Sequence, residues 1–137
     1  MANFHFENYL KLRKDLGKTS HELESVLGQP QKQTNNEGDL YFWYESVAPS
    51  KANLYRFQQG KVVWISRNVR EENILFEEFI ANYGQPVLSV KKIDGENDSL
   101  NSHVAVWPEK GVVATMNGDN LFAMVSRVEL FQPESMD

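Results

Sequence analysis

An α+β fold built from two tandem helix-then-strand repeats is predicted by three observations in this chain of 137 residues. The pentapeptide VLGQP at 26–30 returns as NYGQP at 82–86. Each copy closes a stretch whose apolar residues recur at helical spacing, and each is followed by short runs rich in aromatic and β-branched residues. The repeated Gly-Gln-Pro is a helix-to-strand converter. Glycine adopts the positive φ that ends a helix, and proline cannot continue one and drives the residue before it toward extended geometry. Self-similarity of element order along a chain indicates internal repeats. The expectation is one compact domain over 1–137, made of repeats at about 1–69 and 70–137, with the helices packed on one face of the sheet.

Taken in order, Phe6, Tyr9, Leu10, Leu12 and Leu16 follow helical spacing up to Gly17. Thr19 and Glu22 have the spacing of a capping box, in which hydroxyl and carboxylate each accept a hydrogen bond from a backbone N–H left free at the helix start. A short helix follows with Leu23, Val26 and Leu27 facing inward, and QKQTNNEGD reads as a polar loop. Strands are predicted at 40–45, 53–58 and 62–69, and Gln59-Gly60 is short enough for a two-residue hairpin turn. That register pairs Phe57 with Val62 and Tyr55 with Trp64 on the helix-covered face. It leaves Arg56, Gln58, Lys61 and Arg67 opposite, among Leu54, Val63 and Ile65.

The second half repeats the order. Ile74, Leu75, Phe79, Ile80 and Tyr83 give a helix within 71–84, with Glu71 and Glu72 at its positive end. Strands follow at 87–93, 103–107, 112–116 and 121–131, separated by the loop DGENDSLNS and by turns at 108–111 and 117–120. The tripeptide ISR at 65–67 finds VSR at 125–127.

Composition narrows the function. Apolar residues at 41% and charged residues at 24% are ordinary for a globular protein, and aromatics at 12% are a mild excess. Absence of cysteine removes disulfides, thiolate metal sites and a cysteine nucleophile. No apolar run approaches the roughly 18 residues needed to span a bilayer, and the N-terminal stretch lacks a continuous apolar segment, so a cytoplasmic location without membrane contact is expected. The net charge of −5 argues against nucleic acid, whose phosphates require a basic face.

No catalytic arrangement stands out. His5, His21 and His103 lack the close spacing of a zinc motif, so no metal and no cofactor are expected. The pairs Glu71-Glu72 and Glu77-Glu78 are helix neighbours about 100° apart, unable to converge on one substrate as acid and base. Ser66-Arg67 and Ser126-Arg127 are strand neighbours pointing to opposite faces. Asn117 to Asn120 has no following helix and reads as a turn, not a phosphate cradle. The chain is therefore expected not to be an enzyme.

The aromatics remain. Tyr41 and Trp43 alternate with Phe42 and Tyr44, so both faces of that strand carry rings while helices cover only one. Trp107 falls with Ala105, Val112 and Ala114, leaving Val104, Val106, Val113, Phe122 and Met124 on the other side. Aromatic rings and arginines are enriched in binding hot spots. Tyr41, Trp43, Arg56, Arg67, Trp107 and Arg127 are accordingly the candidate partner-binding residues, for another protein or a second copy of the chain. The alternative is a small apolar ligand in a pocket between helices and sheet, lined by Tyr55 and Trp64.

The stretch TSHELESVLGQP, the aromatic strand FWY and the hairpin LYRFQQGKVVWI together resemble the repeat of the SmpA/OmlA (BamE-like) outer-membrane lipoproteins. The tandem arrangement resembles the beta-lactamase inhibitory proteins. The pattern is carried by Leu27, Gly28, Pro30, Trp43, Tyr44, Phe57, Gly60, Lys61 and Val62. The resemblance implies helix-and-sheet repeats and protein binding through a concave aromatic surface.

Overall fold

The computed structural model describes residues 11–45, 52–69, 72–91, 102–118 and 120–133. They form two helices, α1 (Ser20–Leu27) and α2 (Phe76–Tyr83). The eight strands are β1 (Lys32–Asn36), β2 (Asp39–Trp43), β3 (Leu54–Gln58), β4 (Lys61–Asn68), β5 (Val87–Lys91), β6 (Ser102–Trp107), β7 (Val112–Met116) and β8 (Val125–Phe131). The chain is thus α+β, with two helix-then-strand segments: α1 leads into the antiparallel run β1-β2-β3-β4, and α2 into β5-β6-β7-β8. By compactness it divides into two units, Met1–Arg67 with Leu130–Gln132, and Asn68–Glu129 with Pro133–Asp137. Of the helix expected over 6–16, residues 6–10 lie outside the described residues and residues 11–12 are helical. Its described end is a 3₁₀ turn at Arg13–Asp15, with Leu12 and Asp15 buried.

In the first unit the Thr19 hydroxyl accepts from the Glu22 N–H at 3.2 Å, and the Glu22 carboxylate accepts from the Thr19 N–H at 2.9 Å. Hydrogen bonding from the Thr19 backbone N–H, and then from the Thr19 side chain, holds the Glu22 carboxyl below its ordinary pKa. Gly28 ends α1 at φ 86° and ψ −175°, its N–H donating to the Glu24 carbonyl at 2.8 Å. Of the three residues expected to face inward, Leu23 is fully buried, Leu27 is half-buried and Val26 is exposed.

The segment expected to be a polar loop contains a strand. β1 pairs with β2 through a two-residue turn at Glu37-Gly38, both at positive φ, with Asn36 opposite Asp39. Its side chains are exposed throughout, so no alternation of apolar and polar residues marks it. β2 and β3 then bring Phe42, Tyr44, Tyr55 and Phe57 onto the side covered by α1. Phe42 and Phe57 meet edge to face at 4.8 Å, and Tyr44 and Tyr55 at 5.7 Å.

The hairpin from β3 to β4 turns at Gln59-Gly60, and Phe57 lies opposite Val62 as expected. Beyond that point the register shifts: Arg56 faces Trp64 and Tyr55 faces Ile65, leaving Val63 as the extra residue of a β-bulge. Because side chains alternate strictly along a strand, one extra residue exchanges the faces of everything after it. Trp64 therefore joins the side away from α1. Ile65 and Arg67 turn inward, and Arg67 is only 6% exposed.

In the second unit, α2 starts five residues later than 71. Asn73 sits at φ 56°, which interrupts a helix, and Ile74 enters the core from the extended segment ahead of it. The Glu78 carboxylate accepts from the Leu75 N–H at 2.9 Å, so Glu78 serves the helix start in place of Glu72, while Glu71 lies outside the described residues. Gly84 closes α2 at φ 85° and ψ −161°. The Trp107 indole N–H donates to the Gly84 carbonyl at 2.8 Å, matching the Tyr44 hydroxyl that donates to the Gly28 carbonyl at 2.9 Å. Trp107 also packs against Phe76, Phe79 and Tyr83. The β6–β7 register sets Trp107 opposite Val112 and Ala105 opposite Ala114, so the four share one face as expected.

The last expected strand is shorter than 121–131. Residues 121–124 form a loop that caps α2: the carbonyls of Ala123 and Leu121 accept from the N–H groups of Phe76 and Glu77 at 2.9 and 3.0 Å. This leaves Leu121, Phe122 and Met124 exposed and removes Phe122 and Met124 from the strand face assigned to them.

Candidate functional site: the outer sheet face of the first unit

The face of β2, β3 and β4 turned away from α1 carries two rows of cross-strand neighbours. In one, Thr34, Tyr41, Arg56 and Trp64 lie opposite one another in turn. Phe131, at the end of β8 and within the same unit, extends this row by stacking on Trp64, with ring centroids 5.1 Å apart and planes at 10°. In the other row Lys32, Trp43, Leu54 and Ser66 follow one another. Trp43 is 40% exposed, while Tyr41, Leu54, Trp64 and Phe131 are half-buried.

A polar group adjoins the rings. Asp39 Oδ2 accepts from Arg56 Nη2 at 2.7 Å, from Arg56 Nε at 2.9 Å and from Gln58 Nε2 at 3.2 Å. The guanidinium carbon of Arg56 lies 6.0 Å from the Tyr41 ring centroid, within range of a cation–π attraction. The Arg56 and Gln58 hydrogen bonds lower the pKa of Asp39, and the bond to Asp39 raises that of Arg56, so both stay charged across the physiological range.

Of the six residues expected to bind a partner, Tyr41, Trp43 and Arg56 come together on this face. Arg67 does not: the bulge turns it inward. Trp107, 3% exposed, is spent on packing against α2 and on the Gly84 carbonyl, so it presents no surface. Arg127 is exposed on β8 in the second unit. The aromatic cluster is thus mostly core, and it does not form the broad protein-binding sheet face that was expected. Three residues of the site went unrecognised. Asp39 lies in the stretch that reads as a polar loop, Trp64 changes face only through the bulge, and Phe131 arrives from the far end of the chain.

Other polar groups in the first unit are structural. Asp15 is 1% exposed; its Oδ1 accepts from Lys18 Nζ at 2.8 Å, and its Oδ2 has no hydrogen-bond partner among the described residues. The Tyr55 hydroxyl accepts from the Ala52 N–H at 2.8 Å, and burial drives its pKa upward, so it stays protonated. Among the described residues no group of three or more His, Asp or Glu side chains is arranged to hold a metal. His21 is exposed on α1, His103 is half-buried on β6, and His5 lies outside the described residues. No described helix is long and apolar enough to cross a membrane.

No protein-family model matches the chain, and no curated protein matches it. Among solved structures it is similar to an extracellular protein containing an SCP domain from Bacillus anthracis strain Ames. The TM-score is 0.58 and the identity 13%, over 88% of this chain and 45% of that one. It is also similar to a cysteine-rich secretory protein from Staphylococcus aureus Mu50, with a TM-score of 0.48 and 15% identity, over 87% of this chain and 44% of that one. The chain spans less than half the length of either protein, and the likeness to the first is one of fold.

Two expectations are corrected here. The resemblance to the SmpA/OmlA lipoproteins and the beta-lactamase inhibitory proteins is not upheld, because the fold is shared with part of a different kind of protein. Its motif has a local cause: glycine at the C-terminus of a short helix, then proline to force extended chain, is what any helix-to-strand junction of this geometry needs. The cytoplasmic expectation is likewise overturned by the likeness to an extracellular protein. Lack of cysteine permits a reducing compartment without requiring one.

Proposed function

We propose that the chain is a non-enzymatic ligand-binding domain that works outside the cell and holds a small ligand against the outer sheet face of its first unit. The observation that carries this reading is the half-exposed row Tyr41, Arg56, Trp64 and Phe131, with Trp43 beside it, on a face that α1 does not cover. Aromatic faces gain free energy when a flat apolar surface displaces water from them, and Arg56 and Asp39 add direction. A pocket between helix and sheet is less well supported. Phe42, Tyr44, Tyr55 and Phe57 fill that space in the first unit, and Tyr55 and Trp64 point to opposite faces. The extracellular setting is taken over from the Bacillus protein as part of the proposal.

Titration of ¹⁵N-labelled protein with indole and with anilinonaphthalene sulfonate tests this reading. Saturable shifts are expected at Tyr41, Trp43, Leu54 and Trp64, reduced in Trp43→Ala. Shifts centred on Leu23, Phe42 and Tyr55 would move the site to the interior, and no shift at either place would defeat the reading.

A further inference from the structure

We infer that the ligand of this face is a carbohydrate, an oligosaccharide of pyranose rings lying along β2; this deepens the reading above and rests on it. The face offers two chemistries side by side. Trp43 and Tyr41 present rings on the same side of β2, two residues apart, and Asp39 continues the same side two residues further. From Asp39 to Trp43 the strand extends about 13 Å, at roughly 3.3 Å per residue. That length suits a chain of sugar rings better than one ring.

The polar end fits hydroxyl groups. Asp39 Oδ2 is engaged by Arg56 and Gln58, and Oδ1 accepts no hydrogen bond from the described residues. Arg56 spends Nε and Nη2 on Asp39, and its side chain remains 37% exposed. A fixed acceptor therefore stands next to fixed donors. Vicinal hydroxyls, each both donor and acceptor, satisfy such a pair together, and neither an alkyl chain nor an aromatic hydrocarbon does.

Other occupants fit less well. A hydrocarbon tail laid across this face would strip water from the Asp39–Arg56 pair and return no hydrogen bond, which is costly for charged groups. An extended peptide gains most from pairing with a free strand edge, and this site is a face. A pyranose has both requirements in one molecule: an apolar C–H side for the rings and an edge of hydroxyls for the carboxylate and guanidinium.

The test is a titration of the whole ¹⁵N-labelled chain with cellotetraose and with chitotetraose. Saturable shifts are expected at Asp39, Tyr41, Trp43, Arg56 and Gln58, and at the Trp43 indole. Affinity should fall about tenfold or more in Trp43→Ala and in Asp39→Asn, a change of about 1.4 kcal/mol for each factor of ten. Phe122→Ala, on an exposed loop of the second unit, should leave it unchanged. Trp43 is a surface side chain and Asp39→Asn keeps its shape, so both variants should fold, which their amide spectra would establish. If neither tetrasaccharide shifts these resonances at millimolar concentration while indole or anilinonaphthalene sulfonate does, the carbohydrate assignment is overturned and the ligand-binding reading stands. If none of the four probes shifts them, both are overturned. Saccharide shifts that survive both substitutions would also overturn the assignment.

Discussion

Gly28 and Gly84 end their helices at φ 86° and 85° with ψ −175° and −161°, a combination that essentially only glycine occupies. A Cβ built at either position meets nothing within 4 Å, so the whole cost of a side chain there is backbone strain. Gly28→Ala and Gly84→Ala should each cost about 1–3 kcal/mol in urea unfolding. Asparagine should not rescue either, because its preferred left-handed geometry has ψ near +47°. Thr19→Ala should cost about 1 kcal/mol through loss of the helix cap. Glu22→Gln should flatten the acid limb of stability. Glu22 has a lower pKa folded than unfolded, so its contribution is full above its ordinary value of 4.5 and is lost as pH falls through the folded value. At the alkaline end the sign reverses. Burial, and then the charge of Glu24, push the Tyr44 phenol up to about 12 from its ordinary 10.0. The protonated phenol is favoured in the folded state, so stability should hold below pH 10 and decline as pH rises toward 12. Tyr44→Phe should reduce that decline, read as the pH dependence of the urea midpoint.

At the scale of elements, the bulge at Val63 decides which side chains of β4 are core. Ile65→Ala should cost about 2–5 kcal/mol, the range for a buried aliphatic side chain cut to alanine. Trp64→Ala should cost less, despite the larger side chain, because Trp64 is half-buried and loses mainly its stack on Phe131. The opposite ranking would mean that the strand runs without the bulge. Denaturant curves of the two variants decide between them. β1 gives a second test at this scale. It is paired on one side, by β2, and none of its side chains is buried, so its amides should exchange with solvent faster than those of β3. The same two features explain what the sequence left unread. Sequence periodicity reports burial, and β1 has none, while a bulge breaks alternation at one residue and leaves no compositional mark. Where burial was strong, as at Leu23, Phe42, Phe57 and Phe79, expectation and structure agree.

For the molecule as a whole, the first unit is completed by the far end of the chain. Leu130, 2% exposed, and Phe131 belong with residues 11–67 despite their position in sequence. Truncation after Glu129 should therefore destabilise the first unit by about 2–5 kcal/mol for the lost buried leucine alone. It should also expose Trp64, seen as a red-shifted emission and stronger quenching by iodide. The candidate site depends on the same long-range closure. Tyr41, Trp43 and Arg56 could be named from strand alternation and residue type, because both are local. Trp64 and Phe131, 67 residues apart in sequence, meet only when β4 and the end of β8 are brought together, and no short stretch of sequence carries that pairing.

By itself, the sequence determined where helices stop, where the β3–β4 and β6–β7 hairpins turn, and that the chain is α+β. These follow from glycine and proline geometry and from the spacing of apolar residues, all of which act over a few positions. Only the tertiary structure decided which aromatic rings are core and which meet solvent. A single bulge and a strand end arriving from the other terminus sort Trp64 and Arg67 into their places, and packing against α2 buries Trp107. Burial is a property of the assembled sheet, in which each side chain's face depends on the register of strands that are distant in sequence.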